Sequence, residues 1–379
     1  LSCRRLLFVV TEDWYFWSHR RQLAQASVAA GWRVAVATRV TDHEEAITAL
    51  GITVIPMPWD RGGLNPLMEL QSALALFRAI AHWSPDVMHY VALKPVLAGL
   101  LQPRSLPTVN AITGLGYVFT EGGKRPGWLK YAVERALGLA LRRARAHSVV
   151  QNDDDAALAA RLHGRKRDNI HIIPGAGLDL NHYPLTSEPA SATIRFALVA
   201  RMLWDKGVGE FVEAAATLRR EGLDVVAELV GAPDPENRAT VSEAQLKAWQ
   251  AEGLVDWHGW AQDVGAVWAR SHVAVLPSYR EGLPKALIEA AACGRPLITT
   301  DVPGCRSVVQ HEVNGLLVPR ASADGLAAAM RRLASDPALR LQLGKAARES
   351  VAERYAIGTI AASFHKLYEA VLDVSPSRS

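Results

Sequence analysis

Short apolar runs that alternate with helical patterns constrain this chain more than anything else in it. Leu6 to Val10 reads as a strand, Arg20 to Ala30 as a helix and Val34 to Ala37 as a strand. Val54-Ile55 and Val87-Met88-His89-Tyr90 continue the series, with a helix over about 66–82 between them. Thr108 to Ile112 and Ser148-Val149-Val150 close it. The pattern then restarts with a strand at Arg195 to Val199, a helix over 207–221 and a strand over 225–230. Trp257-His258, 273–276 and 297–299 supply three further short strands. Strands alternating with helices argue for a parallel, doubly wound sheet. Two such series in 379 residues predict two similar α/β domains with a cleft between them.

The segment from Tyr183 to Ser191 is polar and rich in Pro and Ser, which marks it as the linker. An N-terminal domain over 1–185 and a C-terminal domain over 192–355 follow. Residues 356–372 form a last amphipathic helix, expected to pack back on the N-terminal domain.

Composition narrows the class. No stretch reaches the ~18 to 20 uninterrupted apolar residues that span a bilayer. The first apolar run follows two arginines but soon meets Glu12 and Asp13, so it reads as a strand rather than a signal peptide. Cys3, Cys293 and Cys305 are scattered and odd in number, which points to a reducing compartment without disulfides or structural zinc. Residues 1–185 carry 21 Lys and Arg against 15 Asp and Glu, whereas the remainder carries 21 against 23. A basic first half suits a phosphate-bearing partner or an anionic surface. The turn after the first strand, Thr11-Glu12-Asp13-Trp14, lacks the GxGxxG fingerprint. GxxxxGK[ST] and GxSxG are also missing, which disfavours NAD enzymes, P-loop NTPases and α/β-hydrolases.

Residues 278–289, Ser-Tyr-Arg-Glu-Gly-Leu-Pro-Lys-Ala-Leu-Ile-Glu, carry the most chemistry. They follow the strand at 273–276 and lead into a helix whose first turn suits Pro284. A helix start offers free N–H groups and a positive dipole end, which suits a diphosphate. Glu281 in the turn and Glu289 inside the helix can accept hydrogen bonds from sugar or ribose hydroxyls. Taken alone, the pair fits a helix-start carboxylate and a solvated glutamate better, because strand-turn-helix units are common. Arg201 and Lys206 change that balance. They lie on the loop after the strand at 195–199, at the strand end where open α/β sheets bind ligands. Arg grips phosphate oxygens bidentately and Lys adds a point charge, although both also suit an exposed loop. Gly231, after the strand at 225–230, permits close backbone approach. Pro303-Gly304 and Asn314-Gly315-Leu316-Leu317 complete the series.

In this order and spacing the second half resembles the family 4 retaining glycosyltransferases. The resemblance implies the GT-B type of fold, two facing Rossmann-like domains with an interdomain cleft and the nucleotide-sugar mainly on the second. It implies diphosphate contact for Arg201 and Lys206, sugar contact for Glu281 and a ribose contact for Glu289. The backbone at Gly282 and Leu283 would approach the donor, and Gly231 and Trp260 are candidates near the base. Metal-independent transfer without a cofactor is a further implication. Positive groups around the leaving diphosphate make that chemically sensible.

In the first half, Ser18-His19-Arg20, Leu64-Asn65-Pro66 and Thr113-Gly114-Leu115-Gly116 look like the subgroup that acts on undecaprenyl-diphosphate-linked sugars. This implies acceptor contacts at Arg20, Asn65, Gly114 and Gly116, while Asn65-Pro66 is equally a helix start. His19 is the nearest imidazole to the first strand end and a candidate catalytic group, and Lys94 a candidate for an acceptor phosphate. Several family members carry a His after the strand that ends here near Ile112, but this chain has none in Thr113 to Tyr117. Its glycines would bring backbone to the substrate instead.

From Trp128 to Leu141 one helical face is apolar, and seven cations against two carboxylates lie between Thr120 and His147. That excess suits an anionic bilayer surface, although the apolar face also suits packing on the sheet. The expectation is a hexosyl- or hexosaminyltransferase, peripheral on the cytoplasmic face of the inner membrane. It would take sugar from a UDP-sugar to a polyprenyl-diphosphate-linked glycan, with no nucleic-acid partner. A UDP-sugar epimerase of the same fold and a non-catalytic subunit of a polysaccharide assembly complex are the alternatives.

Overall fold

The computed structural model describes residues 3–59, 66–112, 127–143, 145–164 and 169–373. The chain divides into two compact units, Leu1–Gly177 with Ile357–Ser379, and Leu178–Ala356.

The first unit opens with β1 (Arg5–Glu12), α1 (Asp13–His19), α2 (Arg21–Ala29), β2 (Arg33–Arg39), α3 (Glu44–Thr48) and β3 (Thr53–Pro56). It continues with α4 (Pro66–Trp83), β4 (Val87–Val91), α5 (Leu93–Ala98), β5 (Thr108–Ala111), α6 (Gly127–Leu141), β6 (Ala146–Val150), α7 (Asp153–His163) and β7 (Ile170–Ile172). The strands form one parallel sheet in the order β3-β2-β1-β4-β5-β6-β7. Parallel strands covered by helices on both faces read as unbroken apolar runs. β1 shows why: Leu6, Phe8 and Val10 enter one core, and Leu7 and Val9 enter the other.

The second unit repeats the plan with β8 (Ile194–Val199), α8 (Val208–Arg220), β9 (Val225–Val230), α9 (Glu243–Ala251), β10 (Asp256–Trp257), α10 (Val264–Arg270) and β11 (Val273–Leu276). α11 (Lys285–Ala292), β12 (Leu297–Thr300), α12 (Pro303–Val308), β13 (Gly315–Val318), α13 (Ala323–Ser335) and α14 (Pro337–Arg354) complete it. Its parallel sheet runs β10-β9-β8-β11-β12-β13. Chain order therefore reverses between β1 and β4 in one sheet and between β8 and β11 in the other. These are the switch points outside which doubly wound sheets hold ligands. The last helix, α15 (Ile357–Asp373), belongs to the first unit, with Ile360, Phe364, Leu367 and Tyr368 buried against α2 and β4.

Three readings of the sequence change. The boundary falls after Gly177 rather than at 185–192. Residues 183–188 look like a linker by composition, but the second unit bonds them in. Arg295 Nη2 donates to the carbonyls of Thr186 (2.7 Å) and Ser187 (2.9 Å), and Arg340 pairs with Glu188 at 2.5 Å. β7 and β13 went unread, the first because three residues carry little period, the second because Asn314-Gly315 signals a turn. Finally, three of the cations counted towards a bilayer-facing helix are structural. Arg142 donates to the carbonyls of His163 and Leu162, Arg143 to those of Gln102 and Pro103, and Arg145 to those of Ser105 and Val371. A guanidinium spent on backbone carbonyls offers little to a lipid headgroup.

Candidate active site

The two loops at the β8/β11 switch point are tied together. Tyr279 N–H donates to Asp205 O at 2.9 Å, which sets the turn after β11 against the turn after β8. Lys206 Nζ lies 2.6 Å from Glu281 Oε1, and Ser278 Oγ donates to the same oxygen at 2.7 Å. Both ends of this pair are largely shielded, with side-chain exposures of 20% for Lys206 and 11% for Glu281. The turn is backed by α12. A side chain at Gly304 would collide with the carbonyls of Glu281 and Gly282, so only glycine lets α12 approach so closely. The buried Cys305 thiol beside it is pushed up to about 12, first by burial and then by the Glu281 charge. That thiol is a packing group, not a nucleophile.

Arg201 points outward from the same edge with its side chain 52% exposed, and Nη1 contacts Asp234 Oδ2 at 2.6 Å. Among the described residues one of its five donors is used, and one of the three on Lys206, which leaves both cations capacity for phosphate oxygens. Gly231 sits at φ 146 with its N–H donating to Gly259 O at 2.6 Å, a conformation closed to residues with a Cβ. Trp257 Nε1 donates to Gly231 O at 2.9 Å, and Trp260, three residues on, is 73% exposed.

α11 follows the turn with Pro284 at its N-cap rather than inside its first turn. Glu289 lies on its buried side, 5% exposed, which excludes a solvated glutamate. Its Oε1 accepts from Tyr183 OH at 2.7 Å and faces Lys285 Nζ at 3.0 Å. Oε2 has no partner among the described residues. Burial, and next the Glu289 charge, hold the Tyr183 hydroxyl protonated well above its ordinary range, so it serves as a fixed donor. Ser278, Asp234 and Tyr183 are the polar partners that sequence reading did not single out. Ser278 is only three residues from Glu281, but nothing local announces that Tyr183 meets Glu289, 106 residues later.

The first unit carries fewer of its expected residues to one place. His19 Nδ1 is 2.6 Å from Ser18 Oγ, and its ring stacks on Tyr15 at 4.2 Å. Lys94, just past β4, pairs with Glu69 at 2.7 Å. Arg20, expected at the acceptor, is 2% exposed, with its charge felt by His89 and Tyr368 in the interior. Asn65, Gly114 and Gly116 lie outside the described residues.

Comparison with known proteins decides the family. The sequence profile described as "Glycosyl transferase 4-like" matches residues 5–149, and that described as "Glycosyl transferases group 1" matches residues 193–336. The chain is a glycosyltransferase of this group. A relative in Campylobacter jejuni, N,N'-diacetylbacillosaminyl-diphospho-undecaprenol alpha-1,3-N-acetylgalactosaminyltransferase, is 28% identical over 87% of this chain and 89% of its own. A putative glycosyltransferase of Bacillus subtilis is 24% identical over 98% of both chains. Among solved structures, a sucrose-phosphate synthase from Thermosynechococcus elongatus superposes with a TM-score of 0.81, at 24% identity, covering 98% of this chain and 100% of that one. The Anabaena protein HepE, solved with UDP and glucose, superposes at 0.78 with 17% identity, covering 96% and 99%. The glycosyltransferase thus has the GT-B type of fold, two parallel-sheet α/β units.

Proposed function

We propose that this glycosyltransferase moves a hexose or N-acetylhexosamine, with retention, from a UDP-sugar to a polyprenyl-diphosphate-linked glycan in surface polysaccharide or glycan assembly. The observation that carries the donor half is the convergence of Lys206, Glu281 and Ser278 between the ends of β8 and β11, with Arg201 on the same edge. A diphosphate set at the start of α11 meets the helix N–H groups, Lys206 and Arg201. As the sugar–phosphate bond breaks, negative charge grows on the leaving diphosphate, and these fixed cations stabilise it. Glu281 would then accept from a sugar hydroxyl, and Glu289 Oε2 from the ribose. The HepE complex with UDP and glucose and the lipid-diphosphate acceptor named for the C. jejuni relative support the two halves of this reading.

The test is transfer by purified protein from a panel of nucleotide-sugars to a polyprenyl-diphosphate-linked sugar, with product analysis. Glu281→Ala is expected to lower kcat by at least about 100-fold, because it removes the acceptor for the sugar hydroxyl and the partner that holds Lys206 in place beside the leaving diphosphate. Full activity of that variant would sink the donor assignment. Isomerised nucleotide-sugar formed without acceptor would favour an epimerase instead.

A further inference from the structure

α4 is apolar on both sides. Its inner side, Ala73, Leu76, Ala79 and Ile80, is buried in the core beneath the sheet. Its outer side presents Leu67, Leu70, Leu74 and Phe77 at exposures of 70, 51, 51 and 50%, followed by exposed Ala81. The spacing of three and four residues makes these one continuous stripe along the helix. Leu101, 65% exposed, lies on a neighbouring turn whose next residue, Gln102, donates from Nε2 to Ala73 O of α4 at 3.1 Å. A soluble surface rarely leaves such a contiguous patch in water.

We infer that the outer face of α4 is the surface by which this enzyme lies on an anionic lipid bilayer. Charge is the first argument. Arg78, next to Phe77 on α4, and Arg104, two residues from Gln102, are exposed and form no ion pair among the described residues, whereas Lys94 and Glu69 pair at 2.7 Å. No uncompensated carboxylate of α4 stands at the patch, and cations flanking an apolar helical face suit anionic headgroups. Area is the second argument, because it separates a bilayer from a second copy of the chain. From Leu67 to Ala81 the stripe runs roughly 21 Å. A helical band of that length falls well short of the ~800 Å² per partner of a stable protein interface. A bilayer needs no matching surface. The inference takes its purpose from the proposed lipid-linked acceptor and its location from the exposure and charge of α4 alone. It also moves membrane contact away from α6, whose C-terminal arginines are spent on carbonyls.

The experiment is flotation of the full chain with phosphatidylglycerol-containing and pure phosphatidylcholine vesicles at physiological ionic strength. Wild type should partition to the anionic vesicles. Leu70→Glu/Leu74→Glu should weaken this by about tenfold or more, since binding scales with buried apolar area. Leu70→Ser/Leu74→Ser is the milder variant, with circular dichroism and Tm confirming the fold. Arg78→Glu/Arg104→Glu should remove the preference for anionic over neutral vesicles, and Leu139→Glu on α6 should change nothing. Wild-type partitioning by the two leucine pairs, or no partitioning by wild type, overturns the inference. So does a concentration-dependent dimer in sedimentation velocity that the leucine variants abolish. Transfer to a short-chain, water-soluble diphosphate-linked acceptor should survive in all variants. Failure of wild type on every lipid-diphosphate acceptor would instead overturn the acceptor reading and leave the vesicle result standing.

Discussion

At the scale of single residues, the two carboxylates of the site are each held through one oxygen, Glu281 by Lys206 and Ser278. Glu289 is the clearest case, with Oε1 fixed by Tyr183 and Lys285. Tyr183→Phe keeps the ring and removes only the donor, so the carboxylate loses orientation, not bulk. A net hydrogen bond of about 1 kcal/mol predicts a donor KM raised roughly fivefold, with kcat nearly unchanged. Steady-state kinetics with varied nucleotide-sugar checks this, and an equal fall in kcat would place Tyr183 elsewhere in the reaction. The thiols give a second prediction. Cys3 is exposed, whereas burial pushes Cys293 up to about 11 and Cys305 up to about 12. Titration with a thiol reagent at mildly alkaline pH should find one reactive cysteine in the native protein and three after unfolding. Type and spacing alone pointed to Glu281, Glu289, Arg201 and Lys206. They did not show that Lys206 and Glu281 bind each other, because that contact spans 75 residues.

At the scale of elements, the position of the turn after β11 depends on what packs behind it. α12 reaches the carbonyls of Glu281 and Gly282 only because residue 304 is glycine. Gly304→Ala must push α12 or the turn aside, an overpacking cost of about 1–3 kcal/mol. A lowered Tm together with a lowered kcat is expected, and a variant equal to wild type in both would show that the turn does not lean on α12. α6 teaches the opposite lesson about periodicity. Of the apolar face expected from Trp128 to Leu141, Leu137, Ala140 and Leu141 are buried, whereas Ala132 is exposed. At its basic end the sequence counts charges but not the carbonyls that Arg142, Arg143 and Arg145 reach.

At the scale of the whole molecule, burial of histidine couples stability to pH. His89 is held well below the ordinary range, first by burial and then by the Arg20 charge, and His147 is pushed down to about 4 by burial and then by His171. Burial also lowers His171, His272 and His365. Each binds a proton more readily when unfolded, so stability rises with pH between about 4 and the unfolded value near 6.5, and is lost on acidification. Thermal unfolding should therefore show Tm falling from pH 7 to pH 5, with a shallower slope for His147→Gln. A flat profile in wild type would contradict it. The amino-acid sequence by itself determined the α/β class and the doubling of the strand-helix series, and it singled out the four polar residues proposed for the donor site. Periodicity, turn chemistry and motif spacing are local and survive in one dimension. Only the tertiary structure decided that the unit boundary follows Gly177, that Arg20 is interior, and that Tyr183 holds Glu289. Those facts depend on which distant segments meet when the sheets form, and chain order does not encode that distance.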